Sequence, residues 1–247
     1  MANFATAQEI IDQALQELGL GTVNLANTSN DATGYQILGI LNALGDELLR
    51  ANDWQNLEMI MNFVGDGITD TFPMPADFGR QVNQTQWSTS DQRPLLGPTS
   101  PQIWSWTQYG IVSVGVYFRY RILNDVYTMF PIPGADETFA LYYISKNWVA
   151  AYVDPSVQPP ITPPVYQDKI LRPGDTPLFD RRLMVAGVKL KFWAQKGFDT
   201  TLLQQEFDYM LKSEKGMNAG APMISLSNSG NRYLLSFLNV PQGNWNQ

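Results

Sequence analysis

Asp136-Glu137 sets two carboxylates side by side. A carboxylate pair is the equipment of glycoside hydrolysis, where one acid protonates the leaving oxygen and the other attacks or activates water. Here the pair follows Pro133-Gly134 at once, so two solvent-exposed turn acids are the better reading. Asp66-Gly67-Ile68-Thr69-Asp70 is similar to the start of a calcium loop. An EF-hand needs oxygen ligands at alternating positions and a Glu at the twelfth, and neither follows, which leaves a hairpin turn. Trp104-Ser105-Trp106 and Trp148 could stack on sugar rings, although such rings more often pack a core or an interface. Arg181, Arg182, Lys189, Lys191 and Lys196 could contact phosphate. Their charges surround an apolar stripe, however, and a pI of about 4.6 lacks the basic surplus of a nucleic-acid binder. No glycine pattern resembles a phosphate loop or a dinucleotide fingerprint.

Composition narrows the chemistry further. The 247 residues include neither His nor Cys. That excludes Ser-His-Asp hydrolases, Cys–Zn and Fe–S sites, cysteine nucleophiles, disulfides and His-ligated oxygenases. We therefore expect no enzyme, no cofactor and no metal. Charged residues are only 16% of the chain, against about 25% in ordinary soluble domains. Polarity rests instead on 17 Asn and 18 Gln, beside 12% aromatics. Amides and amphipathic rings in place of charges suit a surface that is covered by partners. No run of 18 apolar residues occurs, and the first basic residue is Arg50. Signal peptide and membrane span are both unexpected on that pattern, which points to a soluble chain made in a cytoplasm.

The charge is segregated. Residues 1–77 carry 11 acids and one base, net −10, whereas 78–247 carry 15 bases and 12 acids, net +3. Seven of those bases fall between Lys169 and Lys196. Such a split predicts complementary faces, either within one subunit or between neighbouring subunits.

The elements that would position these groups follow from periodicity. Thr6 and Glu9 make a capping box for a first helix bearing Ile10, Ile11, Ala14, Leu15 and Leu18, ended by Gly19. Ser29-Asn30-Asp31 caps a second, reaching Asn52, with the stripe Ile37, Leu38, Leu41, Leu44, Leu48 and Ala51. Gly39 and Gly45 thin that helix for a close neighbour, and the two helices are expected as an antiparallel hairpin. From Leu57 the period drops to about 2. Leu57–Val64 and Ile68–Phe72 read as a hairpin about Gly65-Asp66-Gly67, followed by strands at Val82–Trp87, Val116–Ile122, Val126–Phe130 and Thr138–Ser145. Seven prolines in 154–177 forbid helix and predict an extended strap. Thr176 then caps a third helix with Pro177 at its first position, its stripe Leu183, Ala186, Gly187, Leu190, Trp193 and Ala194 ending at Gly197. Asp199 caps a fourth, carrying Leu203, Phe207, Met210 and Leu211 to Gly216. Residues 217–247 read as an arm that orders on a partner.

The expected fold is thus α+β. Two helix hairpins, 1–56 and 177–216, form a four-helix bundle-like domain. An antiparallel β domain (57–153) is inserted in it, with the strap at 154–176 and the arm at 217–247.

With that plan assembled, the sequence resembles the head-to-tail adaptors of short-tailed phages, the tail tubular protein A family. The resemblance lies in Ala5-Thr6-Ala7-Gln8-Glu9-Ile10-Ile11 and in Leu41-Asn42-Ala43-Leu44 with Trp54. It continues through Pro73-Met74-Pro75-Ala76-Asp77-Phe78-Gly79-Arg80, Arg93-Pro94-Leu95 and Pro98-Thr99-Ser100, and is fullest over Tyr117–Trp148 with its Phe130-Pro131-Ile132-Pro133-Gly134 turn. It implies a virion protein at the head–tail junction, with twelve copies in a ring beneath the portal. The helical part would face the portal protein, the β part the next (nozzle) tail protein, and DNA would cross the channel only as passing cargo. On this reading Tyr233, Leu234, Leu235, Phe237 and Leu238 of the arm are the portal-binding candidates. Asp46, Glu47 and Asp53 are the channel-lining candidates, since an acidic wall does not hold phosphate. The alternatives are an adaptor with added cell-wall hydrolase activity, or a β-rich tail protein that binds carbohydrate or a receptor.

Overall fold

Thr6 opens the first helix, α1 (Ala7–Glu17). Its hydroxyl accepts from the Glu9 amide at 3.3 Å while the Glu9 carboxylate accepts from the Thr6 amide at 3.0 Å, which closes the capping box. Ile10, Ile11, Ala14 and Leu15 are buried, and Gly19 leaves the helix at φ +70°. The computed structural model describes residues 4–25, 32–83, 85–109, 117–153 and 165–219. Ser29-Asn30-Asp31, the proposed cap of the second helix, lies outside the described residues.

Contacts divide the chain into two units. Residues up to Leu57 and those from Lys146 through the C-terminal helices form one; Glu58–Ser145 form the other. The first unit holds α1, α2 (Ala32–Ala51), α4 (Arg181–Lys196) and α5 (Thr201–Ala219). It also holds a small antiparallel sheet in which β9 (Val149–Ala150) lies between β10 (Tyr166–Gln167) and β11 (Thr176–Pro177). The substantial helix–helix contacts all run through α4, which packs on α1, α2 and α5. Seven consecutive residues, Leu183 to Lys189, are buried. A helix buried all round is a hub, not one corner of a bundle.

The second unit is β-rich. In its larger sheet β8 (Thr138–Ser145) pairs antiparallel along one edge with β1 (Glu58–Val64), from Glu58↔Ile144 to Val64↔Thr138. Its other edge takes β3 (Phe78–Gln81) and then β4 (Trp87–Ser88), which in turn pairs β5 (Arg93–Pro94). A second sheet runs β2 (Thr71–Pro73), β7 (Val126–Phe130), β6 (Arg119–Leu123). The alternating inward residues Phe139, Leu141 and Tyr143 of β8, Tyr127 and Met129 of β7 and Tyr120 of β6 share one core with Phe63 and Phe118. Phe63 and Phe139 stack at 5.2 Å, and Tyr120 and Tyr127 at 4.9 Å. Burying each such ring contributes about 2–3 kcal/mol.

Several expectations are overturned. The fold is not a four-helix bundle with one inserted β domain: the described residues hold five α-helices and eleven strands in three antiparallel sheets. The fifth helix, α3 (Pro101–Tyr109), contains Trp104-Ser105-Trp106; its short, weakly periodic sequence gave no helical signal. One of the three sheets belongs to the helical unit, and its two-residue strands are too short to show any period. The Leu57–Phe72 hairpin does not form, since β1 joins β8 and β2 joins β7, in different sheets. A local turn cannot outweigh seven paired residues on a long neighbour. The helix after the strap starts at Asp180, not Thr176; the Asp180 carboxylate accepts from the Arg182 and Leu183 amides, while Thr176-Pro177 is strand. Helix α5 also passes Gly216 to end at Ala219.

Candidate functional site

Asp46 and Glu47 lie exposed near the end of α2, and Asp53 is exposed just beyond it. The α2 exit is held from α5, where Asn218 Nδ2 donates to the Asp53 carbonyl at 2.7 Å and Asn218 Oδ1 accepts from the Gln55 amide at 2.9 Å. The Glu47 carboxylate takes the Lys191 ammonium of α4. The structure therefore brings the three channel candidates to one end of α2 but commits Glu47 to a partner within the chain.

Lys189 is the charge that sequence reasoning undervalued. It stands on α4 among apolar neighbours, its side chain 9% exposed, and reaches Glu17 of α1 at 2.7 Å and Glu206 of α5 at 3.2 Å. Burial works against the ammonium, but hydrogen bonds and charge from both carboxylates outweigh it and raise its pKa. Burial likewise works against the Glu17 carboxylate, yet donors on Lys189 and Gln13 and the lysine charge hold its pKa below the ordinary value. This triad ties three helices together at their polar seam. Lys196 hydrogen-bonds Gln36 and lies 5.2 Å over the Phe192 ring. Lys189 and Lys191 thus answer carboxylates inside one chain, which is the first of the two alternatives left open by the charge split.

Asp175 was missed altogether. Its carboxylate is buried and accepts four hydrogen bonds: Tyr152 N at 2.9 Å on one oxygen, and Gln167 Nε2 at 2.7 Å, Leu171 N and Arg172 N at 2.8 Å on the other. A buried carboxylate is tolerable here because both of its oxygens accept hydrogen bonds, four in all. The Asp175 carbonyl accepts from Ala7 N at 2.8 Å, and Pro173 O from Gln8 N at 3.0 Å, so this loop closes the start of α1. Its signal in the sequence was an acid inside the Pro173-Gly174-Asp175 turn.

The catalytic candidates become structural parts. Glu137 accepts from the Gly134 amide at 2.7 Å, while Asp136 sits at φ +67°; the pair shapes the turn into β8. Asp66 accepts from the Thr69 hydroxyl and from the Thr69 and Ile68 amides, and these bonds hold its pKa down at about 2. Burial, with Asp77 beside it, pushes Tyr143 up to about 12, and burial does the same for Tyr120. Trp148 is fully buried, with Phe179 at 5.7 Å; Trp104 is buried, and Trp106 is half exposed. These groups shape and hold the fold, and the chemistry they suit is packing and charge pairing.

Among the described residues no group of His, Cys, Asp and Glu could hold a metal ion, and no helix is long and apolar enough to cross a membrane. Tyr233, Leu234, Leu235, Phe237 and Leu238 lie outside the described residues. No protein-family model and no curated protein matches the chain.

Proposed function

We propose that the chain is a structural virion protein, a head-to-tail adaptor that joins the portal to the tail as a homo-oligomeric ring and lets DNA pass. The observation that carries the reading is the interleaving of the chain: helices, then a β unit at Glu58–Ser145, then helices returning to the first unit. The motifs that carry the resemblance fall in that order. The charge economy supports it too. The buried and half-buried charges are spent on internal clips, Lys189 on Glu17 and Glu206 and Asp175 on its loop, which suits a rigid load-bearing part. On this reading twelve copies sit at the head–tail junction, the portal meets the arm through Tyr233, Leu234, Leu235, Phe237 and Leu238, and the nozzle protein follows. Asp46 and Asp53 keep the channel wall free of phosphate-binding charge, because each exposed cation would release counterions and hold the DNA.

The test is assembly in the absence of the chain, with complementation. Heads made without it should carry DNA and lack tails, and the full chain should restore them. Chain truncated before residue 222 should stay folded and fail to restore them. Tailed particles in the absence of the chain would refute the proposal.

A further inference from the structure

Strand β1 has one side left over. All seven of its positions pair with β8, and among the described residues no strand pairs with its other edge. Natural edges are guarded by Lys or Pro, by bulges or by shortness. β3 breaks its register between Phe78 and Arg80, whereas β1 runs seven residues in continuous register with no Lys and no Pro. The open edge shows in burial as well. Met59 and Met61 alternate onto the same face as Phe63 and pack on its core, yet they are only partly buried. On the other face Ile60 and Val64 are 52% and 55% exposed. An unguarded apolar edge of this length needs a cover.

We infer that the cover is the chain's own segment Arg232–Leu238, added parallel to β1 as a further strand. The end of α5 fixes where the arm starts: Asn218 bonds the Asp53 carbonyl and the Gln55 amide, and β1 begins three residues after Gln55. Residues 220–231 span up to about 40 Å, against about 23 Å for β1, so they reach either end of it. A dozen residues also suffice for a parallel crossover. The direction comes from the two sequences. With Arg232 beside Glu58, the outward row is Glu58 with Arg232, Ile60 with Leu234, Asn62 with Ser236 and Val64 with Leu238. The inward row is Met59 with Tyr233, Met61 with Leu235 and Phe63 with Phe237. Opposite charges meet, amide meets hydroxyl, and every apolar position meets another. Reversed, the same stretch would set Arg232 beside Val64 and Leu238 beside Glu58. Arg232 is the only charged residue in 220–247, and Gly230 and Pro241 bracket the stretch as strand-bounding residues do. The inference concerns the chain alone and does not rest on the adaptor reading. On that reading the strand keeps the portal-binding candidates covered until the portal displaces it.

The chain has no cysteine, which makes the register directly readable in the full-length protein. A disulfide needs Cα atoms within about 7 Å. In the parallel register position 236 lies about 5 Å from position 62, and position 234 about 8 Å; reversed, the two exchange places. Asn62→Cys with Ser236→Cys should therefore oxidise to an intramolecular disulfide, and Asn62→Cys with Leu234→Cys should not. Hydrogen exchange is the second readout. The alternate β1 amides that point away from β8 should exchange about tenfold faster or more once residues 220–247 are deleted. Leu235→Asp, which sets a carboxylate against Met61, should do the same. Neither change touches the β8 side of β1, so protection of the amides on that side reports that the fold persists. Equal exchange of the outward amides in all three chains, oxidation of the 234 pair as readily as the 236 pair, or disulfides formed between copies would overturn the inference.

Discussion

Gly45→Ala on α2 should unfold more easily than the wild type, and Gly39→Ala on the same helix should not. A Cβ built at Gly45 would lie 2.2, 2.3 and 2.6 Å from three carbons of the Trp148 ring, whereas at Gly39 nothing lies within 4 Å. Carbon atoms pack best at about 3.5–4.0 Å, so the indole must retreat by more than 1 Å. It has no room to do so, because Trp148 is fully buried with Phe179 at 5.7 Å, and Phe179 has Trp54 at 5.6 Å. Overpacking of this kind costs about 1–3 kcal/mol, and a ring locked on both sides belongs at the upper end. Against that stands the gain of replacing a helical glycine, about 0.8–1 kcal/mol. Both variants change the unfolded chain equally, so their difference reports the native contact alone. We expect G39A to gain up to about 1 kcal/mol, and G45A to lose about 2 kcal/mol. For a chain of this size that separates their Tm values by roughly 6–12 °C. Urea denaturation followed by tryptophan fluorescence, with the near-ultraviolet dichroism of Trp148 as a second signal, measures both. A G45A chain as stable as G39A with an unchanged spectrum would refute the packing described for α2.

Lys189→Met should cost about 1–2 kcal/mol, a value held down because Glu17 and Glu206 remain 40% and 38% exposed. The loss should depend on pH in two ways. Glu17 has a lowered pKa, so its contribution exists above the unfolded value and vanishes as acid takes the solution through the folded one. Lys189 has a raised pKa, so its contribution exists below the unfolded value and vanishes as alkali takes the solution through the folded one. Unfolding curves across pH should therefore show the wild-type advantage only between those limits. Asp175→Ala should cost about 3–5 kcal/mol and speed hydrogen exchange at Tyr152, Leu171 and Arg172, whose amides lose their acceptor. Replacing Asp46 and Asp53 by Lys should leave rings intact and slow DNA ejection; normal ejection from normal rings would remove these acids from the channel wall.

What was legible in the sequence was local. Thr6 with Glu9, Gly19, Gly197 and Asp199 carry their caps as the spacing requires, and β7 and β8 match the expected strands residue for residue. Alternation of the kind in Val126–Phe130 and Thr138–Ser145 admits only one inward face. What was not legible was which element each one joins. Leu57–Phe72 contains a good turn, yet β1 gains more from β8 than from its neighbour in the chain. Lys189 reads as surface charge from type alone, and only the approach of α1 and α5 reveals it as a buried link. Asp175 depends on donors from residues 152, 167, 171 and 172 converging on one point, which no spacing in the chain announces. Gly45 and Gly39 look equivalent in sequence and are opposite in space, because Trp148 arrives from a hundred residues away to meet only one of them.

Electron micrographs of the full chain mixed with the portal protein of the same phage, set beside the chain alone, test the central proposal most directly. The adaptor reading predicts rings of the chain seated on one face of the portal and coaxial with its channel, formed only when the portal is present. A chain that leaves the portal bare, or that forms isolated trimers able to bind glycans, would contradict it.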